Sequence, residues 1–301
     1  MSTMFKKVQN KFLRNIYNLP FLHHQAEMEY QKLVKMHIAN LPLISVADKS
    51  IVETLNSEGV VITSLADLGI SSASKMFQAA ETLMHKIPRM VTDNSNEFVV
   101  HATSQQIMAH PEIFLWGVEQ RLINIVENYL GLPVAYHGAY FRRDIANQVE
   151  QQSRLWHLDK EDKKVLKIIV YLHDMDEDSG PFQYLPISET ESVAHLLKYH
   201  HGYIQDTTMQ QVISPANYKS CLGPAGTVVF AATASVFHRG KLPVKSDRFA
   251  IFFDYTSQKH KLSFYSTSSL PLEDVALLAK NLPQKQRECL LENKIFKSHD
   301  L

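Results

Sequence analysis

The 301-residue chain carries 31 Lys and Arg against 31 Asp and Glu, so its formal net charge is zero, and 45% of its residues are hydrophobic. A neutral chain of this size argues against a broad electrostatic surface for nucleic acid, and no apolar run is long enough to span a bilayer. Its two cysteines, Cys221 and Cys289, match no zinc spacing and argue against a disulfide framework, which points to a reducing, cytoplasmic compartment.

Residues 3–40 read as two helices broken near Pro20. The first is amphipathic: Phe5, Val8, Phe12 and Ile16 fall at helical spacing, with Lys6, Lys7, Lys11 and Arg14 elsewhere. It lacks the continuous apolar stretch of a secretory signal. Packing on its own domain or a partner is the plainer expectation for residues 3–19, and a membrane-surface contact is the sharper one. Ala47 to Glu58 reads as a helix ended by Gly59, a residue suited to a left-handed cap. Gly59 to Thr63 reads as a short strand and Ser72 to Lys86 as another helix. Pro111 opens a long helix through Ile113, Trp116, Leu122, Val126 and Tyr129, stopped by Gly131.

From Pro133 the pattern changes to short runs rich in Val, Ile, Phe and Tyr, at 133–142, 165–173, 181–185, 227–231, 234–238 and 248–256. Turn signals separate several of them: Asp178-Ser179-Gly180-Pro181, Gly223-Pro224 and Ser246-Asp247. This predicts an antiparallel sandwich or barrel. Residues 189–220 interrupt it as a His-rich, polar insertion, and helices return at Leu272 to Lys280 and Pro283 to Glu292. The expected organisation is one catalytic domain over 1–301, with a helical extension at 1–45, a core at 46–265 and C-terminal helices at 266–301.

His157-Leu158-Asp159 carries the chemistry. Side chains two apart on a strand share a face, so His157 and Asp159 can reach one point, and His238 from a distant strand can complete three ligands. Two imidazoles and one carboxylate on one side of a metal, with other positions open, is the donor set of non-haem Fe(II) oxygenases. The turn residues Gly240, Pro243, Ser246 and Asp247 let Arg248 open the strand beside the one carrying His238. Its fork can hold a carboxylate bidentately, as an enzyme using 2-oxoglutarate needs.

Other polar clusters have plainer readings. His173 to Asp178 reads as a solvated turn rather than a second metal site. His200-His201 reads as surface, and Arg142-Arg143 as a solvated strand end rather than a contact for an anionic substrate. His137 and Tyr140 lie on one strand with opposite parity, so both do not face the pocket. Tyr140 and Thr227 are candidates, from strand placement, for binding the co-substrate. No G-x-S-x-G elbow, phosphate loop or G-x-G-x-x-G turn is present, so hydrolase and nucleotide chemistry are not indicated.

Trp156-His157-Leu158-Asp159, Val165 to Leu172, Asp178 to Pro186, Gly226 to Phe230 leading to His238-Arg239-Gly240, and Arg248 to Phe253 together resemble the phytanoyl-CoA dioxygenase family. Leu55 to Ile62 is similar to that family's opening helix and strand, so the resemblance spans roughly residues 50–258. It implies a mainly β, α+β double-stranded β-helix (jelly-roll, cupin-like) core flanked by helices, and Fe(II), 2-oxoglutarate and dioxygen as cofactor and co-substrates. It implies His157, Asp159 and His238 as iron ligands and Arg248 as the 2-oxoglutarate anchor. Two positions depart from the family: Ile187-Ser188-Glu189 follows Pro186 where Gly-Ser-His is frequent, and Gly240 stands where some members carry Ser. Asp159 retains the carboxylate that related halogenases lack, which favours oxygen insertion. The expected reaction is hydroxylation of a small, hydrophobic or carrier-bound substrate. Desaturation, cyclisation or a non-catalytic binding barrel are the alternatives.

Overall fold

The structure is a computed structural model and describes residues 20–89, 96–258 and 268–295. The amphipathic segment expected at residues 3–19 lies outside the described residues. A helix starts at Pro20 and runs to His37. Ser45 caps the next helix, Val46–Ser57, by accepting from the Asp48 amide. Gly59 follows with φ +86°, and a Cβ there would lie 2.2 Å from the Val236 side chain, so both backbone and packing require glycine. Helix Ala73–Met84 buries Met76, Ala80 and Leu83, spaced by four and three residues.

The described residues hold nine strands: β1 Val60–Ser64, β2 Val99–His101, β3 Val134–Asp144, β4 Leu166–Tyr171, β5 Phe182–Tyr184, β6 Lys219–Ser220, β7 Thr227–Ala231, β8 His238–Gly240 and β9 Arg248–Ser257. They form a six-stranded sheet in the order β1-β7-β4-β9-β3-β2 and a three-stranded sheet in the order β6-β5-β8, with every pairing antiparallel. Ile169 and Tyr171 of β4, Val229 and Ala231 of β7 and Ala250 of β9 share one apolar cluster with Phe182, Cys221 and Val236 from the smaller-sheet side. The large sheet's other face, through Ile168, Val170, Phe230, Ile251 and Phe253, packs with helix residues such as Ile123 and Val126 in a second cluster. Two antiparallel sheets around an apolar layer, with helices outside, make an open jelly roll rather than a closed barrel.

Burial on both faces explains why β4, β7 and β9 read as continuous apolar runs instead of alternating ones. Because successive residues still alternate, Lys167 shares the inner face with Ile169 and Tyr171. In β9 the even positions Arg248, Ala250, Phe252 and Asp254 face inward, opposite Asp144, Arg142, Tyr140 and Gly138 on β3, with a bulge only beyond Gly138.

Three expectations about elements are corrected. The single long helix from Pro111 is two helices, Pro111–Trp116 and Gln120–Leu130. Between them Gly117 lies against the sheet: its carbonyl accepts from Tyr255 Oη at 2.7 Å, and a Cβ there would meet Tyr136 Oη at 2.4 Å. The strand expected at 234–238 begins only at His238, because Ser235 and Val236 donate their amides to Ala232 in a turn. The 189–220 insertion is built into the core. Its Val193 and Met209 pack with Trp156, Leu185 and Phe237, and its last residues form β6.

Candidate metal centre

A narrow antiparallel bridge makes the site. The His157 amide donates to the His238 carbonyl and the His238 amide to the His157 carbonyl, each at 3.1 Å. Directly opposed residues project on the same side of a ladder, and the two imidazole centroids are 4.3 Å apart. Asp159, two residues on, is tied by its amide to the Thr233 carbonyl at 3.0 Å. One carboxylate oxygen of Asp159 is 3.6 Å from His157 Nε2 and the other is 3.8 Å from His238 Nε2. One ligand atom from each of the three residues lies within 4.8 Å of the others.

The rings are oriented as a metal requires. Nδ1 of His157 is 2.8 Å from the Leu155 carbonyl, and Nδ1 of His238 is 3.0 Å from the Val236 carbonyl. A carbonyl only accepts, so each Nδ1 carries the proton and each Nε2 keeps its lone pair for the centre. Burial pushes the His238 imidazolium down to about 3, helped by the neighbouring His157 and opposed by Asp159. Burial also lowers His157. Asp159 is held well below the usual carboxylate range: burial would raise it, but Lys167, His238 and His157 together outweigh that. At neutral pH the site is therefore two neutral imidazoles and one carboxylate.

The donor set fits a divalent metal on one further observation. Asp159 Oδ2 is buried and accepts no aligned hydrogen bond. Lys167 Nζ stands 2.7 Å away as its ion-pair partner. Beyond that one ammonium, the Asp159 carboxylate and the two Nε2 lone pairs converge within 4.8 Å, a donor set that suits a divalent cation.

A pocket opens from this centre. His157, His238, Lys167 and Phe182 line it together with Phe252. Beyond them Ser153, Gly240, Arg142 and Arg248 line it as well. Arg248 is buried, as its expected role requires, and its fork is engaged. Nε donates to Asp144 Oδ2 at 3.0 Å, Nη2 pairs with the same oxygen at 2.8 Å, and Nη1 donates to the Gly180 carbonyl. Tyr140 shares the inner face of β3 but is not among the pocket-lining residues. Thr227 is placed elsewhere: it opens β7 opposite Ser64, and its hydroxyl donates to the Pro224 carbonyl at 2.7 Å.

The remaining candidates fall as follows. The turn around Asp176 and Asp178 is solvated and faces Lys245, while His173 Nε2 accepts the Phe249 amide at 3.0 Å. His200 and His201 are exposed. Arg143 turns away to Asp247 and the Ile87 carbonyl. Arg142 corrects the reading of a solvated strand end, for its side chain is only 12% exposed and lines the pocket. Asp144, Lys167 and Tyr203, whose ring meets His157 edge-on at 5.1 Å, had no sequence signal strong enough to single them out.

No protein-family model matches the sequence, and no curated protein matches it. Solved structures do share its shape. The epimerase SnoN, in complex with Fe3+, alpha ketoglutarate and nogalamycin RO, is 15% identical over 79% of this chain and 91% of its own, with a TM-score of 0.48. EctD from S. alaskensis with bound Fe is 17% identical over 75% of this chain and 80% of its own, at 0.49. HygX from Streptomyces hygroscopicus, with nickel, 2-oxoglutarate and hygromycin B bound, is 14% identical over 69% of this chain and 87% of its own, at 0.46. Likeness at this level does not decide chemistry, and the assignment of the fold rests on the strand order and register above.

Proposed function

We propose that this protein is a phytanoyl-CoA dioxygenase-like, Fe(II)- and 2-oxoglutarate-dependent enzyme that hydroxylates an unactivated C–H bond of a small hydrophobic or carrier-bound substrate. One observation carries the reading: three donors from two separated segments lie within 4.8 Å of one another, with both imidazoles fixed to present Nε2, and the two histidines line a pocket together with Arg248. His157 and His238 would supply neutral nitrogen donors and Asp159 one negative charge, leaving the pocket side of the metal for other ligands. When bound, ferrous iron with 2-oxoglutarate supplies the power to split dioxygen, one oxygen atom going to the substrate and the other to succinate as CO2 leaves.

The chain's own share is binding, orientation and exclusion of water. Phe182 and Phe252 give the pocket apolar walls, so a charged co-substrate end must find a cation there. Arg248 is such a cation at its inner end. Adding Fe(II) and 2-oxoglutarate to the metal-free protein without oxygen is expected to give a weak visible charge-transfer band. His157→Ala and Asp159→Ala should both lose it. A band unchanged in either variant would falsify the ligand assignment. With a turned-over substrate, product mass separates the outcomes: one added oxygen for hydroxylation, two lost hydrogens for desaturation or ring closure.

A further inference from the structure

Arg248 is not the only cation at the closed end of the pocket. Arg142 stands two residues before Asp144 on β3, on the same face, and Asp144 is directly opposite Arg248 on β9. Both guanidiniums close on the one carboxylate. Arg142 Nε donates to Asp144 Oδ2 at 3.0 Å and its Nη2 to Oδ1, while Arg248 reaches Oδ2 through Nε and Nη2. Asp144 is fully buried, and although burial would raise its carboxyl, Arg142 and Arg248 hold it down at about 2.

The charges in this cluster do not balance. A third buried guanidinium, Arg154, acts on the same group electrostatically, yet its own hydrogen bonds run to carbonyls of Phe98, Ile145, Asn147 and Val149 and to Asn147 Oδ1. Lys167, at the metal end, is matched by Asp159. Arg142 and Arg248, the two guanidiniums that line the pocket, thus both close on the one carboxylate of Asp144, in a pocket walled by Phe182 and Phe252. Uncompensated charge out of water is costly, so this end is built to receive an anion. Donors are also in hand. Arg142 Nη1 has no hydrogen-bond partner among the described residues, and its Nη2 reaches Ser153 Oγ at 3.3 Å.

Gly240 lies against the Arg248 guanidinium. A Cβ there would lie 2.8 Å from Arg248 Nη2, and glycine itself offers no side chain to share the anion with Arg248. Gly240 lies two residues beyond His238 on β8, which spans about 7 Å along a strand. The guanidinium pair beside Gly240 and the histidine pair therefore line one pocket.

We propose that Arg142 is the second anchor of the co-substrate's distal carboxylate, and that Asp144 is the positioning residue that holds Arg142 and Arg248 side by side to grip it. This rests on the 2-oxoglutarate reading above. It makes the closed end of the pocket a two-arginine subsite, selective for a 2-oxo acid with a carboxylate at the far end.

The test is anaerobic calorimetric titration of the full-length Fe(II)-loaded protein with 2-oxoglutarate and with 2-oxobutyrate, which lacks the distal carboxylate. Wild type should prefer 2-oxoglutarate. Arg142→Met should weaken 2-oxoglutarate by about tenfold or more and leave 2-oxobutyrate and Fe(II) binding unchanged. Arg142→Lys keeps the charge and loses the fork, and should show the same selective loss at smaller size, which serves if the Met variant does not fold. Equal affinity for 2-oxoglutarate in wild type and both variants would overturn the subsite while leaving the iron reading intact. So would an equal loss for both acids, since the distal carboxylate would then not be what Arg142 meets. A wild-type protein that binds Fe(II) but neither acid would overturn the co-substrate reading and this inference with it.

Discussion

Lys167 stands closest to the metal question. Its ammonium is 2.7 Å from the Asp159 oxygen that a cation would otherwise use. Burial would lower its pKa, but Asp159, Asp254 and Glu161 raise it well beyond the ordinary lysine value, so it stays charged. A fixed positive charge beside a metal ligand opposes a dication. Lys167→Met should therefore bind divalent metal more tightly, by about tenfold or more, a gain of at least ~1.4 kcal/mol, read by competition with a chelator. Unchanged or weaker binding would show that Lys167 only orients Asp159.

Asp254 sits across the β4–β9 ladder from Lys167, with Oδ1 buried and unbonded. Burial pushes its carboxyl up to about 6 from 3.8, with Lys167 opposing and Asp159 adding. A raised carboxyl is held protonated in the fold while the unfolded chain ionises, so stability falls as pH rises from about 4 to about 6. Asp254→Asn removes that loss. Its advantage over wild type in chemical denaturation should be absent near pH 4, grow to about 2–3 kcal/mol by pH 6, and stay level to pH 8. An advantage independent of pH would place the effect in packing instead.

At the scale of elements, the insertion and the metal-bearing segments are locked by one network. Arg239, next to His238, stacks over Trp156 at 4.6 Å, pairs with Asp206 at 2.9 Å and donates to Gln183 Oε1 at 2.8 Å. Trp156, next to His157, donates its indole N–H to the same Asp206 at 2.9 Å. The insertion thereby clamps the residues flanking both histidines. Arg239→Leu removes the ion pair to Asp206 and the bond to Gln183 and should cost about 2 kcal/mol, with faster amide exchange over residues 204–218 than over β4 or β9. Uniform loss of protection across both would mean the clamp is not local. None of this network was legible in the sequence, because a polar, His-rich stretch looks like a surface loop until its sparse apolar residues, Val193 and Met209, are seen to bury. The helix starting at Pro111 was misjudged for a related reason. Its apolar period runs through Gly117, and only the sheet tyrosines reveal that the backbone turns there.

For the whole molecule, the long strands β3, β4, β7 and β9 could be read from their apolar runs, and the pairing of His157 with Asp159 from its i, i+2 spacing, which needs no tertiary information, while the short β2 and β6 could not. His238 and Arg248 were legible through the turn residues between them. The pocket's charge balance was not. β4 and β9 are buried on both faces, so alternation does not reveal which way Lys167 or Arg248 points, and Asp144 gains meaning only from the register that sets it opposite Arg248. Among the described residues no helix is long and apolar enough to cross a membrane, and Cys221 and Cys289 are free and buried. What joins the two sheets into a site is the His157–His238 bridge, which ties the start of the H-x-D segment to the small sheet.

Anomalous diffraction at the iron edge, from crystals loaded with Fe(II) without oxygen, tests that convergence directly. One peak is expected within coordination distance of His157 Nε2, His238 Nε2 and an Asp159 oxygen, with its remaining positions turned toward Arg142 and Arg248. A peak bound elsewhere, or none while Lys167 keeps its hold on Asp159, would contradict the account.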